Sequence, residues 1–257
     1  MAEASQRPTM RGCFVVLLLV VIGSVLSASL NKGTTGFNRK RWLIAGRPWH
    51  GLVPPPGVAA NTDNFPDQHF TQPIDNFDPS NNKTYTQRYW SNDQWYQKGG
   101  PIFLMLGGEG MEDPSWVASS ELEWLQLAQK HNAMVYLIEH RYYGLSLPFG
   151  IDATTKNLMY LSSRQALADM ANFIKAKNLQ EGYDNPKWVV FGGSYSGALA
   201  AWAREKYPEL VYGALASSAP VQAEVDFYQY LEVVQFAFSK IDQKCADNIH
   251  TGFVKMQ

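Results

Sequence analysis

Three runs of uninterrupted apolar residues punctuate the chain: PIFLMLG (101–107), AMVYLIE (133–139) and KWVVFG (187–192), with a weaker fourth, GALASS (213–218). A strand with one face in water alternates apolar and polar residues. A continuous run marks a strand covered on both faces, as in a parallel sheet. Between the runs the period changes to that of a helix. Ser115–Lys130 turns Trp116, Leu122, Leu125 and Leu127 towards a core. Ser162–Lys177 opens with Ser162 and Gln165 at capping-box spacing and carries Leu167, Met170, Ala171 and Ile174 on one face. This alternation predicts a doubly wound, mostly parallel α/β sheet with right-handed crossovers. Upstream, the aromatic-rich segments Tyr85–Trp90 and Asp93–Tyr96, flanked by Asn, Ser and Gly, read as an antiparallel pair at the sheet edge. No internal repeat is visible.

The N-terminal part of the chain has a different texture. Arg7 and Arg11 precede an apolar run from Cys13 to Ile22, followed by the small residues of VLSASL. A basic flank, a short apolar stretch and a small-residue exit describe a secretory signal peptide, here residues 1–28. The competing reading is a membrane anchor, but the run falls short of the roughly 20 apolar residues a spanning helix needs, so no stable anchor is expected. Residues 29–66 (GTTG, RPWHG, PPPG, NTDN) lack a sustained period and read as a pro-segment or linker. Arg39-Lys40-Arg41 is either a processing site or a solvated basic patch. Asn82-Lys83-Thr84 is a glycosylation sequon on Asn82, in keeping with secretion.

The chain has 257 residues and a formal net charge of -1, with charged residues at 18% and balanced in sign, so it has no field to recruit nucleic acid or an anionic membrane. His50 and His69 have no metal-ligand spacing, and neither a metal site nor a cofactor is expected. Two cysteines are present, and setting Cys13 aside with the leader leaves Cys245 alone. In an oxidising compartment it is then either buried and free or paired with sequence beyond this chain.

The chemistry concentrates in WVVFGGSYSGALAAWAREKYPEL (188–210). A buried strand ends at Phe191, then Gly192, Gly193, Ser194, Tyr195, Ser196 and Gly197 lead at once into a helix. A serine squeezed between strand and helix is a nucleophile elbow, whose neighbours must be small so that strand and helix can approach. The helix N-terminus then places partial positive charge under a developing oxyanion. The fit to G-x-S-x-G has Ser196 at the fifth position. Ser196 as nucleophile would need glycine at 194, which favours Ser194. A phosphate-binding turn is the other use of such a segment, but neither G-x-G-x-x-G nor a following Gly-Lys-Ser/Thr is present. A second glycine cluster, Gly107-Gly108-Glu109-Gly110, follows the strand PIFLML. It reads as a simple turn or as the loop whose Gly108 or Glu109 amide joins that of Tyr195 in an oxyanion hole.

These stretches, together with QPIDNF (72–77), QRYW (87–90), EHRYYGLSLP (139–148), YLSSRQALADMANFI (160–174) and FGGSYSGALAAWAREKYPELVYGALASSAPV (191–221), make the chain resemble the prolyl carboxypeptidase and dipeptidyl peptidase II family of serine peptidases. SYSG brings it nearer to the thymus-specific branch. The resemblance runs from about Gln68 to Val234 and implies an α/β-hydrolase fold in residues 67–223. From residue 224 to 257 it implies the start of a helical insertion over the sheet, with the sheet itself incomplete. It implies Ser194 as nucleophile, Tyr195 as oxyanion donor, and a secreted or lysosomal enzyme cleaving proline-containing peptides near a chain end.

In this fold the triad order is Ser, Asp, His, and the family's acid and base fall beyond Gln257. The only later histidine, His250, shares one helical stretch with Asp242 and Asp247, beside Cys245, whereas an acid and base must come from strand-end loops. They are therefore not expected to form the triad. His140 is expected to hydrogen-bond within its own loop. The chain is expected to lack its acid–base half, with a serine exopeptidase as the leading function. An esterase or lipase, and a non-catalytic binding protein on a hydrolase fold, are the alternatives.

Overall fold

A computed structural model describes residues 43–44, 47–48, 61–152 and 154–256. The leader, most of residues 29–66, Arg39–Arg41 and His50 lie outside the described residues. A two-residue ladder pairs Leu43–Ile44 with Arg47–Pro48. The main sheet follows: β1 (Gln68–Pro73), β2 (Thr84–Asn92), β3 (Ile102–Leu106), α1 (Ser115–Ala118), α2 (Glu123–His131), β4 (Met134–Ile138), α3 (Ser163–Glu181), β5 (Trp188–Gly193), α4 (Tyr195–Lys206) and β6 (Val211–Ser217). Among the described residues the six strands lie in the order β1-β2-β4-β3-β5-β6. Strand β2 runs antiparallel to both neighbours, and the pairings β3–β4, β3–β5 and β5–β6 are parallel. This is an α/β-hydrolase fold.

The continuous apolar runs have a direct cause. Ile102, Leu104, Leu106, Tyr136, Ile138, Trp188 and Val190 point to one face, where they meet Leu167, Met170, Phe173 and Ile174 of α3 and Leu199, Ala200 and Ala203 of α4. The alternate residues Phe103, Val135, Leu137 and Phe191 point to the other, against Val117, Leu122, Trp124, Leu125 and Ala128 of α1, α2 and their junction. Two hydrophobic clusters thus sandwich the sheet, and each fully buried large side chain contributes about 1.5–3 kcal/mol. Ser162 caps α3 by accepting from the Gln165 amide at 3.2 Å, and Gly182 closes it in the left-handed conformation at φ 62°.

Two elements differ from the sequence reading. Residues 93–96 form a turn, not a strand: Asn92 Oδ1 accepts from the Gln94 amide, and the Asp93 carbonyl from that of Tyr96. The partner of β2 is β1, in register from Gln68 opposite Tyr89 to Pro73 opposite Thr84. The helix expected over Ser115–Lys130 breaks at Ser119, whose ψ of 108° is extended. The Trp116 carbonyl freed by the break accepts from Trp124 Nε1 at 3.0 Å.

Residues from Gln222 onward belong to a second compact unit. In it α5 (Gln229–Ile241) and α6 (Gln243–Val254) pack against each other, with Asp242 capping α6 by accepting from the Lys244 amide. Asp242, as its cap, Asp247 and His250 therefore lie on the one helical stretch expected for them. Cys245 is buried and disulfide-bonded, which corrects the expectation of a free thiol. No helix among the described residues is long and apolar enough to cross a membrane.

Candidate active site

At the carboxyl end of β5 the chain turns directly into α4. Ser194 occupies that turn with φ 57° and ψ −124°. A non-glycine residue in such a region costs of order 1–3 kcal/mol and persists only when its surroundings impose it. Here they do. The Ser194 amide donates to the Ser217 carbonyl of β6 at 3.0 Å, and its carbonyl accepts the first helical bond, from Ala198, at 3.0 Å. The residue is exposed and its side chain caps no helical amide, so the hydroxyl stands above the sheet over the α4 N-terminus.

Ser196 has a different place. Its side chain is buried, and its hydroxyl folds back on one residue, donating to the Gly193 carbonyl at 2.9 Å and accepting from the Gly193 amide at 3.1 Å. It braces the turn from below. Close approach sets the residue before it too: a Cβ on Gly192 would lie 2.0 Å from the Ser196 carbonyl oxygen. The Cβ is fixed rigidly to the main chain and the carbonyl belongs to it, so neither can swing away. Gly192→Ala is expected to cost about 1–3 kcal/mol and, by displacing the hydroxyl, about 10²-fold in reactivity. Thermal melting and the rate of fluorophosphonate labelling measure the two effects.

The glycine loop after β3 lies against this elbow, a Cβ on Gly108 falling 3.8 Å from Ser196 Cβ and Oγ. The Gly108 amide donates to Glu112 Oε1 at 3.1 Å. Glu112 is buried, and burial first, then the neighbouring Glu139 and Asp113, push its carboxyl up to about 8 against the lowering effect of the Gly108 amide and Arg88.

His140 reaches further than its own loop. Its Nδ1 lies 2.6 Å from the Arg141 carbonyl and its Nε2 3.0 Å from the Tyr195 hydroxyl. A carbonyl only accepts, so Nδ1 carries the proton and Nε2 accepts from Tyr195. Burial holds the imidazole neutral, pulling it down to about 4. The side chain following Ser194 is thus anchored to the end of β4. This link, like the role of Glu112, joins residues too far apart in sequence for spacing to reveal it.

In the second unit Asp242 is the α6 cap, Asp247 accepts from Gln243 at 2.9 Å, and His250 is exposed. Asn82 is exposed in the connection between β1 and β2. No cluster of metal-ligating side chains occurs among the described residues.

A strained serine at a strand–helix turn, set at the end of the fifth strand of this sheet, defines the class of nucleophile-elbow α/β-hydrolases. The profile of the serine carboxypeptidase S28 family matches residues 72–257, and the chain belongs to that family of serine peptidases. Over 245 residues it is 49% identical to the Caenorhabditis elegans relative K12H4.7, covering 93% of this chain and 47% of that protein. It is 42% identical over 194 residues to mouse thymus-specific serine protease, covering 72% and 37%. It is 38% identical over 206 residues to human lysosomal Pro-X carboxypeptidase, covering 77% and 41%. The chain spans at most about half the length of these relatives.

Proposed function

We propose that the chain carries the nucleophile half of a secreted or lysosomal serine exopeptidase that cleaves beside proline near a peptide end. The observation that carries this reading is the backbone of Ser194, forced to φ 57° at an exposed turn by Ser217 and Ser196. A binding protein has no use for that strain. In the reaction a histidine takes the Ser194 proton as Oγ attacks the scissile carbonyl carbon. The oxyanion is received by the amides of Tyr195 and of the glycine loop, and collapse expels the protonated amine. Water, deprotonated by the same base, then releases the acyl group. Since the Gly108 amide is given to Glu112, the loop donor in this reading is Glu109. The relative named lysosomal Pro-X carboxypeptidase supports both the proline preference and the compartment. The exposed Asn82, within its sequon, is the expected site of a glycan.

The test is full-length protein, recovered from the secretory pathway, assayed on peptides with proline next to either terminus and on a panel of esters. Turnover of the proline peptides with a fluorophosphonate adduct on Ser194 is expected. Ester turnover alone would replace the peptidase with an esterase, and no adduct on Ser194 would return the chain to the binding proteins.

A further inference from the structure

Beneath the glycine loop lies a cluster of acidic groups that the reaction above does not use. Glu139, fully buried at the end of β4, accepts from Arg88 Nε at 3.0 Å and Nη2 at 2.6 Å. It also accepts from the amides of Leu145 and Ser146, each at 3.0 Å, from the Ser146 hydroxyl at 2.7 Å, and from the Glu112 amide at 3.1 Å. The Glu112 backbone is thereby pinned to the sheet, and its side chain turns back to take the Gly108 amide. The fit is close: a Cβ on Gly107 would lie 3.0 Å from both Cγ and Oε1 of Glu112 and 2.8 Å from the Ile138 carbonyl.

The charges around Glu112 do not balance a second anion. From β2, Arg88 is already shared between Glu139 and Asp67, 2.8 Å away on its other side. From β4 the cluster is faced by Glu139 and from its own loop by Asp113, both raising the cost of ionising Glu112. A buried carboxyl with no cation of its own stays protonated, and a protonated carboxyl still accepts a hydrogen bond through its carbonyl oxygen.

We propose that Glu112 is a positioning residue, a neutral carboxyl that clamps the Gly107–Glu109 loop so that its amide faces the oxyanion at Ser194. This rests on the acyl-transfer reading above and deepens it. Neutrality matters because the loop's task is to stabilise negative charge. An ionised Glu112 would set a full anion near the oxyanion from a buried position, where water screens it poorly. Catalysis therefore weakens on the alkaline side, as the carboxyl ionises near pH 8 and sets its charge against the oxyanion while the clamp itself holds.

Two variants of the full-length enzyme separate clamp from charge. Glu112→Gln keeps the acceptor and the shape but cannot ionise. Its kcat at neutral pH is expected to stay within about 3-fold of the parent, and the fall in kcat above about pH 8 is expected to disappear. Glu112→Ala removes the clamp, and kcat is expected to drop about 10-fold at every pH with KM little changed, short of the roughly 10²–10³-fold lost when an oxyanion donor is deleted. The pH profile is the readout that a structural role would not move. An alkaline limb in Glu112→Gln superimposable on that of the parent, or an unchanged kcat in Glu112→Ala, would overturn the proposal. Fluorophosphonate labelling of Ser194 in the parent at neutral pH is the control. If it succeeds while the variants do not behave as stated, only the role of Glu112 falls. If Ser194 is not labelled, both readings fall.

Discussion

Ser194→Ala in the full-length protein is expected to abolish fluorophosphonate labelling and to lower kcat by on the order of 10⁴–10⁶-fold, while KM for the same peptide changes little. The size follows from mechanism. Without Oγ there is no acyl-enzyme, and the oxyanion donors and the binding pocket are left to act on direct attack by water. Ser196→Ala is the matched control, since the two hydroxyls are two residues apart and only one faces solvent. It removes the brace across Gly193, where Oγ both donates at 2.9 Å and accepts at 3.1 Å. Loss of a buried hydrogen bond costs about 0.5–1.5 kcal/mol, so its melting temperature should fall while labelling of the remaining serine persists. If Ser196→Ala abolished labelling and Ser194→Ala kept it, the elbow would have been assigned to the wrong hydroxyl.

What could be read from the sequence was what local pattern controls. Strands β3, β4 and β5 are legible because both their faces are covered, which turns alternation into the unbroken runs IFLML, MVYLI and WVVF. The start of α3 is legible because a Ser–Gln pair at three-residue spacing is itself the cap. Strand β1 is not, since QHFTQP has no apolar signature. Its Gln72 is fully buried through hydrogen bonds to Gln87 and to the Asp169 carbonyl, 97 residues away, which hydropathy cannot report. The break between α1 and α2 accompanies the burial of Trp124 and Leu125 in the cluster on that face of the sheet. Propensity shows only a pair of serines, Ser119 and Ser120, tolerated in either state.

The site divides along the same line. Ser194 is legible because strand, small residues and helix are adjacent in the chain, and the elbow is a local object. Its supports are not. Tyr195 is held by His140 from 55 residues upstream, and the glycine loop by Glu112, whose state depends on Arg88 and Glu139 arriving from two other strands. Histidine and glutamate at those positions are compatible with many roles until the sheet order β2-β4-β3-β5 brings them to one end of the sheet.

The motif EHRYYG also carries the fold's largest polar liability. Arg141 follows His140 and is fully buried, with Asp169 of α3 opposite it at 2.7 Å through both Nε and Nη2. The rest of the guanidinium is spent on carbonyls: Nη1 donates to Ile74 and Tyr160, and Nη2 to Pro73. Asp169 accepts in addition from the Tyr85 hydroxyl at 2.7 Å and from Asn76 at 2.9 Å. One ion pair therefore ties β1, β2, the end of β4 and α3 together. Asp169→Ala would leave the guanidinium buried and uncompensated, at a cost of about 3–5 kcal/mol. Against the roughly 5–15 kcal/mol that holds a domain folded, that is a large fraction of the total, and the urea midpoint should fall accordingly. The exposed neighbours Glu205 and Lys206, paired at 2.8 Å, offer the comparison: Lys206→Ala should stay within about 0.5 kcal/mol of the parent. Urea unfolding of the full-length protein reads both. The isosteric change Asp169→Asn also removes the charge and turns amide hydrogens towards Arg141, so it should rescue little. If Asp169→Ala unfolded at the parent's urea midpoint, Arg141 would have found water or another anion, and the pair would not be what anchors α3 to the sheet.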